Sequence, residues 1–246
     1  YAAAEKIRGK EVTKVKHLEK RGKEEPTLNT MTRENIELKS VSTKLPETIK
    51  VAPNIGNIRL SAFISKNATE EFKQALEANK DKDGLIIDLR SNPGGLLTNA
   101  IYIADFLLDS KVIVSTVDRD GYKETQTSTK TTLTNQPIAV LINEGSASAS
   151  EILSGALKDN KRAIIIGKKS FGKGLVQEIN RMPDGAAMHI TIQKYLTPSG
   201  TDINKKGIVP DIEVDYTKED LDKKIDPQVA KANEVLLQQI GKITKK

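Results

Sequence analysis

The chain has no cysteine. That excludes a disulfide framework, a cysteine nucleophile and thiolate metal ligation, and it fits an exported protein and a cytosolic one equally. Aromatic residues make up only 4%, so the core must rest on Ile, Leu, Val and Ala. No apolar run reaches the roughly 18–20 residues needed to cross a bilayer. The opening "YAAAEKIRGK" lacks the apolar h-region of a signal peptide. If the protein is exported, its signal must lie upstream of this sequence.

The 246 residues suffice for one large domain, or one domain with a smaller partner. With 29% charged and 37% hydrophobic residues, the composition is that of a soluble globular protein. The formal charge of +6 would suit a nucleic-acid binder. However, the lysines are spread along the chain and aromatics are not interleaved with them as stacking platforms. A solvated lysine-rich surface is the better reading, and no nucleic-acid partner is expected.

Residues 1–35 form a small unit. "AAAEKIRG" reads as a short helix stopped by Gly9, followed by strand candidates "VTKVKHLEKRG" and "PTLNTMTREN". Residues 36–53, with Pro46 and Pro53, read as an extended connector. Beyond it, "IGNIRLSAF" is a strand candidate. "NATEEFKQALEANK" is a helix with Asn67 as N-cap, Glu70 at N3, and Ala68, Phe72, Ala75 and Leu76 on one face.

"GLIIDLR", "PIAVLIN" and "RAIIIG" are apolar runs of the kind found in strands buried on both faces. Between them, "LLTNAIYIADFLL" reads as a helix, and "KVIVSTVDRDGYKETQTST" as two strands turning at Arg119-Asp120-Gly121. "GLVQEI" and "AAMHITIQKYL" are further strands, joined at "MPDG". "DPQVAKANEVLLQQI" is a closing helix with Asp226 as N-cap and Pro227 at N1. Repeated strand–loop–helix units argue for an α/β layered domain.

Three glycine- or serine-rich loops each leave a buried strand: "DLRSNPGG" (88–95), "NEGSASASE" (143–151) and "KKSFGKGLVQ" (168–177). Such loops gather at the carboxyl ends of strands, where α/β sheets form ligand sites. In the second loop, a serine at a helix start could be a nucleophile, because free N–H groups and the helix dipole favour a developing oxyanion. Equally, Ser146 or Ser148 could simply cap the helix.

A nucleophilic serine needs a base, and the chain has two histidines. His17 lies in the small N-terminal unit. His189 alternates with Met188, Ile190 and Ile192, which are expected to face the core and turn the imidazole outward. A lysine can serve if burial keeps it neutral, its ordinary pKa near 10.4 falling by several units. Lys173, between Gly172 and Gly174 and close to Phe171, Leu175 and Val176, suits that role. Gln177 could then orient the uncharged amine. Taken alone, "GKG" is equally a plain basic loop.

"DLRSNPGG", "GSASASEI" and "SFGKGLVQ", in this order and spacing, closely resemble the C-terminal processing peptidases, or tail-specific proteases. The resemblance covers about residues 54–215 and ends in "YLTPSGTDINKKGIVPDIEV". It implies Ser148 as nucleophile, Lys173 as general base, Gln177 as the orienting third member, and an oxyanion hole from Gly94 and the Ala149 N–H. Glu151 and Asp159 also match the family motif, Glu151 in a structural or orienting role and Asp159 at a helix end. No metal and no organic cofactor is implied.

The fold implied by the resemblance is a crotonase/ClpP-like spiral α/β core with the C-terminal remnant of a PDZ domain at the N-terminus. Residues 1–35 would be the partial PDZ, 36–53 the connector, 54–215 the protease core and 216–246 a C-terminal helical extension. Val12 stands where that family usually has glycine, and the first PDZ strands do not precede it. The expected partners are proteins or peptides with apolar C-terminal tails. The resemblance leaves room for membrane association through an upstream segment and for a homo-oligomer. The expected location is periplasmic or the extracytoplasmic face of a membrane. A catalytically inactive peptide-binding or scaffold module of the same fold is the alternative.

Overall fold

The structure is a computed structural model that describes residues 6–34, 39–46, 48–183 and 185–243. The chain divides into two compact units, Tyr1–Leu38 and Lys39–Lys246. In the first, β1 (Lys14–Glu19) and β2 (Thr27–Thr32) pair antiparallel, with Lys14 opposite Thr32 and Glu19 opposite Thr27. Leu18, Leu28 and Met31 are exposed, as expected where so short a segment has no core of its own. The first five residues, which open the helix expected over "AAAEKIRG", lie outside the described residues.

The second unit is built on a six-stranded sheet. Its strands are β3 (Val41–Ser42), β4 (Ile55–Leu60), β5 (Gly84–Asp88), β8 (Ile138–Ile142), β9 (Ala163–Gly167) and β12 (Ile212–Glu213). They run in the order β12-β9-β8-β5-β4-β3 and are parallel except for β3, which pairs antiparallel with β4. β3 comes from the stretch read as a connector, which therefore supplies an edge strand.

Side chains alternate across β5 and sort into two cores. Leu85 and Ile87 join the cluster under α1 (Ala68–Glu77), α2 (Leu97–Leu107) and α3 (Ala149–Asp159). Ile86 joins Ile55, Leu141 and Ile166 on the opposite face, against Val229, Ala232 and Leu236 of α5 (Pro227–Ile243). A five-residue helix, α4 (Lys218–Asp222), precedes α5. Both faces of β5 are thus covered, which explains its unbroken apolar run.

α1 buries the expected face of Ala68, Phe72, Ala75 and Leu76. Asn67 is at its N-cap position but makes no side-chain capping bond. α5 is capped as read, with Asp226 Oδ1 accepting from the N–H groups of Gln228 (3.1 Å) and Val229 (3.0 Å). α3 inserts Ile152, Leu153 and Leu157 into the core, each burial contributing about 1.5–3 kcal/mol. That packing fixes where the start of α3 must lie.

A second sheet, of order β10-β11-β6-β7, contains β6 (Val112–Asp118), β7 (Lys123–Thr127), β10 (Leu175–Arg181) and β11 (Ala187–Leu196), all antiparallel. One expectation fails here. Met188, Ile190 and Ile192 are 39–49% exposed and do not face the core, because β11 pairs with β6 only from Gln193 onward. The outer part of the β10–β11 ribbon has no layer packed over it. His189 is exposed along with its neighbours.

Candidate active site

β5, β8 and β9 are adjacent and parallel, so the three loops singled out in the sequence leave the same end of the sheet side by side. Loop 143–148 is bonded to loop 89–92 by the serines that flank Ser148. Ser146, fully buried, donates from Oγ to the Leu89 carbonyl (2.8 Å) and accepts from the Asn143 N–H (3.0 Å). Ser150, also fully buried, donates to the Asn92 carbonyl (2.9 Å), which accepts the Ala147 N–H as well (3.0 Å). Ser154 donates back to Ser150 O within the helix (2.7 Å). Of the four serines, Ser148 alone is half-buried, and its hydroxyl makes no side-chain capping hydrogen bond.

Ser148 sits at the N-cap of α3 with φ 55° and ψ −114°, a backbone conformation that is costly for a residue with a Cβ. Such strain persists only where the surroundings enforce it, and here they do. Glu151 returns its Oε2 to the Ser148 N–H at 2.8 Å, half of a capping box. The Ser148 hydroxyl faces the Glu151 N–H as the other half of that box, without the geometry of a full hydrogen bond, and the same N–H goes to the Ser148 carbonyl at 2.8 Å.

Glu151 is the hub of the site. Its side chain is fully buried and receives four donors. Oε2 takes the N–H groups of Ser148 and Lys173, each at 2.8 Å. Oε1 takes the Gly172 N–H (2.6 Å) and the Ser170 hydroxyl (2.5 Å). Bonding to one shared oxygen holds the Ser148 and Lys173 backbone nitrogens within about 5.6 Å, twice 2.8 Å. The loop carrying Lys173 is fixed further by the Phe171 N–H to Ser146 O (3.0 Å). A Cβ on Gly174 would fall 2.3 Å from the Asn204 nitrogen, so only glycine lets this loop pass.

Lys173 and Gln177 are both exposed. Among the described residues no hydrogen bond joins the Lys173 amine to the Ser148 hydroxyl. Gln177, on β10, reaches Thr191 Oγ1 at 3.5 Å rather than Lys173. The dry amine expected from the sequence is therefore not what this state holds. The backbones of Ser148 and Lys173 are brought together, while the lysine side chain is not enclosed.

The Ala149 N–H has no hydrogen-bond acceptor among the described residues. Gly94 lies against the same turn: with φ +95°, a Cβ on it would come within 2.7 Å of Ala147 O and 2.9 Å of Ala149 N. Its own N–H, however, is taken by Asn92 Oδ1 at 2.9 Å, so the expected oxyanion pair is free at Ala149 and engaged at Gly94. Asp159, at the end of α3, accepts the Ser199 N–H at 2.9 Å.

Three contributors escaped the sequence reading. Ser170 donates a hydrogen bond from its hydroxyl to Glu151 Oε1 while accepting the Ile208 N–H (2.6 Å), and nothing in local pattern marks it. Asn92, fully buried, holds the loop from both ends of its amide, with Nδ2 to Leu60 O at 2.7 Å. Its position two residues before a glycine is a turn signal that could have found it. Arg90 anchors the root of the same loop, with Asp88 (2.8 Å), Asp226 (2.8 Å) and the Tyr216 hydroxyl (2.6 Å) around it. Burial pulls the Arg90 pKa down, but the Asp88 hydrogen bond and the two carboxylate charges outweigh it, and the net shift is upward. Burial pushes the Tyr216 hydroxyl up as well.

Residues 54–214 match the model of peptidase family S41. The chain belongs to peptidase family S41. This S41 chain is 45% identical over 212 residues to a carboxyl-terminal-processing protease of Synechocystis sp., covering 85% of the chain and 49% of that relative. It is 39% identical over 218 residues to carboxyl-terminal-processing peptidase 2, chloroplastic, of Arabidopsis thaliana, covering 86% of the chain and 42% of that relative. It therefore spans about half the length of the curated relatives it matches. Among solved structures, the photosystem II D1 C-terminal processing protease superposes with a TM-score of 0.66 at 32% identity, over 84% of this chain and 57% of that one.

Proposed function

We propose that this S41 chain carries the catalytic machinery of a serine endopeptidase that cleaves proteins near their C-termini through Ser148 and Lys173. The observation that supports this most directly is the division of labour among the alternating serines. Ser146 and Ser150 are fully buried and bonded to loop 89–92, while Ser148 stands between them strained, half-buried and uncommitted. Lys173 takes the Ser148 proton as Oγ attacks the scissile carbonyl. The N–H of Ala149 receives the oxyanion, joined by that of Gly94 when Asn92 releases it. The leaving amine takes the proton back from Lys173, and water hydrolyses the acyl-enzyme.

The Lys173 amine is exposed, so a substrate lying over the site must exclude water from it before it can act as base. Gln177, on the edge strand four residues further on, then orients the neutral amine. Glu151 acts as a positioning residue through the backbones of Ser148 and Lys173. The proposal extends to a crotonase/ClpP-like spiral for the core, the end of a PDZ domain for residues 1–35, and work outside the cytoplasm. No helix of the described residues is long and apolar enough to cross a membrane, and no cluster of potential metal ligands occurs among them. The scaffold alternative gains nothing from the relatives, which are named as proteases and peptidases.

The test is hydrolysis of a peptide with an apolar C-terminal tail by the parent chain and by the Ser148→Ala and Lys173→Ala variants. Both variants should lose cleavage while keeping the parent's circular dichroism and melting temperature. Full activity in either would refute the assignment.

A further inference from the structure

β10 is an edge strand, pairing with β11 on one side and with no strand of the described residues on the other. The hairpin fixes which of its groups face outward. The Met182 N–H donates to Ala186 O at 2.8 Å, two residues beyond the Asn180–Met188 pair. Along an antiparallel strand the bonding side alternates from residue to residue. The main-chain groups of Glu178 and Asn180 therefore point to β11, and those of Gln177, Ile179 and Arg181 point away from it. Among the described residues no hydrogen bond reaches these outward groups.

An unpaired edge invites another chain, and folded proteins commonly blunt it with lysine or proline. Leu175–Arg181 contains neither. The centre of the open edge is instead Ile179, with 57% of its surface exposed. A bulge between Val176 and Gln177 ends the regular ladder at one end, and Pro183, which has no N–H, ends it at the other. What stays open is a strip of three outward residues.

That strip is complementary to itself. A two-fold axis through Ile179, normal to the sheet, sets Ile179 opposite its own copy, Gln177 opposite Arg181, and Glu178 opposite Asn180. The outward groups of all three residues then meet in hydrogen-bonded pairs, and no like charges stand opposite. Moving the axis to Glu178 opposes two carboxylates, which is destabilising. Moving it to Asn180 sets Gln177 against Pro183, and moving it to Gln177 carries Arg181 past the bulge. One register satisfies every outward group.

We infer that β10 pairs antiparallel with β10 of a second copy of this chain about Ile179, joining two β10–β11 ribbons into one of four strands. The contact is isologous and uses the open β10 edge of both copies, so assembly through it closes at two chains. Arg181 of the second copy then stands opposite Gln177, the residue proposed to orient Lys173, and the dimer contact reaches the rim of the site. The inference stands without the peptidase reading.

The experiment is sedimentation equilibrium of the full chain from about 1 μM to about 1 mM. The weight-average mass should rise from one chain to two. Ile179→Lys, which opposes two ammonium groups, should raise the concentration of half-association at least about tenfold. The protein has no cysteine, so one introduced thiol reports the contact. Ile179→Cys places two Cα atoms about 5.5 Å apart across the axis, within disulfide range, and mild oxidation should link the chains in pairs. Ile190→Cys, on β11, lies about 14 Å or more from its copy, three strand spacings away, and should stay unlinked. A single-chain mass throughout, a mass beyond two chains, or association untouched by Ile179→Lys would each overturn the inference. So would linking by Ile190→Cys as readily as by Ile179→Cys, the mark of packing through the Met188, Ile190 and Ile192 face.

Discussion

Replacing Glu151 by glutamine changes one atom of a side chain that is otherwise the same size. The carboxylate receives four donors, two on each oxygen. An amide keeps one oxygen and turns an NH2 toward the other pair, so whichever way it lies two donors lose their acceptor. Hydrogen bonds to a charged group contribute about 1.5–3 kcal/mol each, and the buried site admits no easy replacement. The expected loss is about 3–6 kcal/mol. For a domain of this size about 1 kcal/mol moves the melting temperature by about 2–4 °C, so even the lower figure predicts a fall of roughly 6–12 °C in calorimetry.

The same lost bonds release either the backbones of Ser148 and Lys173 or the Ser170 hydroxyl and the Gly172 backbone. Cleavage of an apolar-tailed peptide should therefore drop at least about 100-fold, some 2.7 kcal/mol in the barrier. Glu70→Gln is the control, since Glu70 only accepts from Gln74 on an exposed helix face, and its effect should stay within about 0.5 kcal/mol. If Glu151→Gln melts within about 1 °C of the parent and cleaves at the parental rate, the shared carboxylate does not hold the site together.

Ser146→Ala and Ser150→Ala should each cost about 1–3 kcal/mol in denaturant unfolding yet retain measurable cleavage, unlike Ser148→Ala. Gly94→Ala would drive a Cβ to 2.7 Å from Ala147 O at φ +95°. Peptide cleavage should fall by more than about tenfold, because the Ser148 turn must shift to make room. Arg90→Met would leave Asp226 buried without its cation and Asp88 with Arg59 alone, and urea titration should show a loss of about 3–5 kcal/mol.

The cluster of half-buried Lys168 with exposed Asp215 and Glu213 lowers the Asp215 pKa through the Lys168 hydrogen bond, and raises that of Lys168 through its bonds to Asp215 and then Glu213. The carboxylate's share of stability is present above its ordinary pKa and disappears as pH falls through the depressed value. The amine's share is present below its ordinary pKa and disappears as pH rises through the raised value. Asp215→Asn should therefore melt below the parent at about pH 7, and the gap should close as pH falls through the depressed Asp215 value.

Much of the fold could be read from the residues because buried parallel strands announce themselves. "GLIID", "IAVLI" and "AIIIG" became β5, β8 and β9, and the loops leaving them supplied the site. β11 misled the reading for a physical reason. Alternation of apolar and polar residues says that two faces differ, not that a layer covers one of them, and here none covers Met188, Ile190 and Ile192. β3 was missed because two residues are too few to carry a pattern. In the site, residue types pointed to a serine at the start of α3 and to Lys173 in its glycine loop, and it was the family resemblance that singled out Ser148. Which serines were already engaged, and that Asn92 occupies the Gly94 N–H, depended on contacts between loops far apart in sequence.

The four-donor carboxylate also dictates a sequence of assembly. Glu151 is made early on the growing chain, but three of its four partners, Ser170, Gly172 and Lys173, come about twenty residues later. Until β9 has been added to the sheet, the leading turn of α3 contains an unmatched buried anion and cannot settle. A chain lacking those residues therefore carries Ser148 without the contacts that tie its turn to the Lys173 loop.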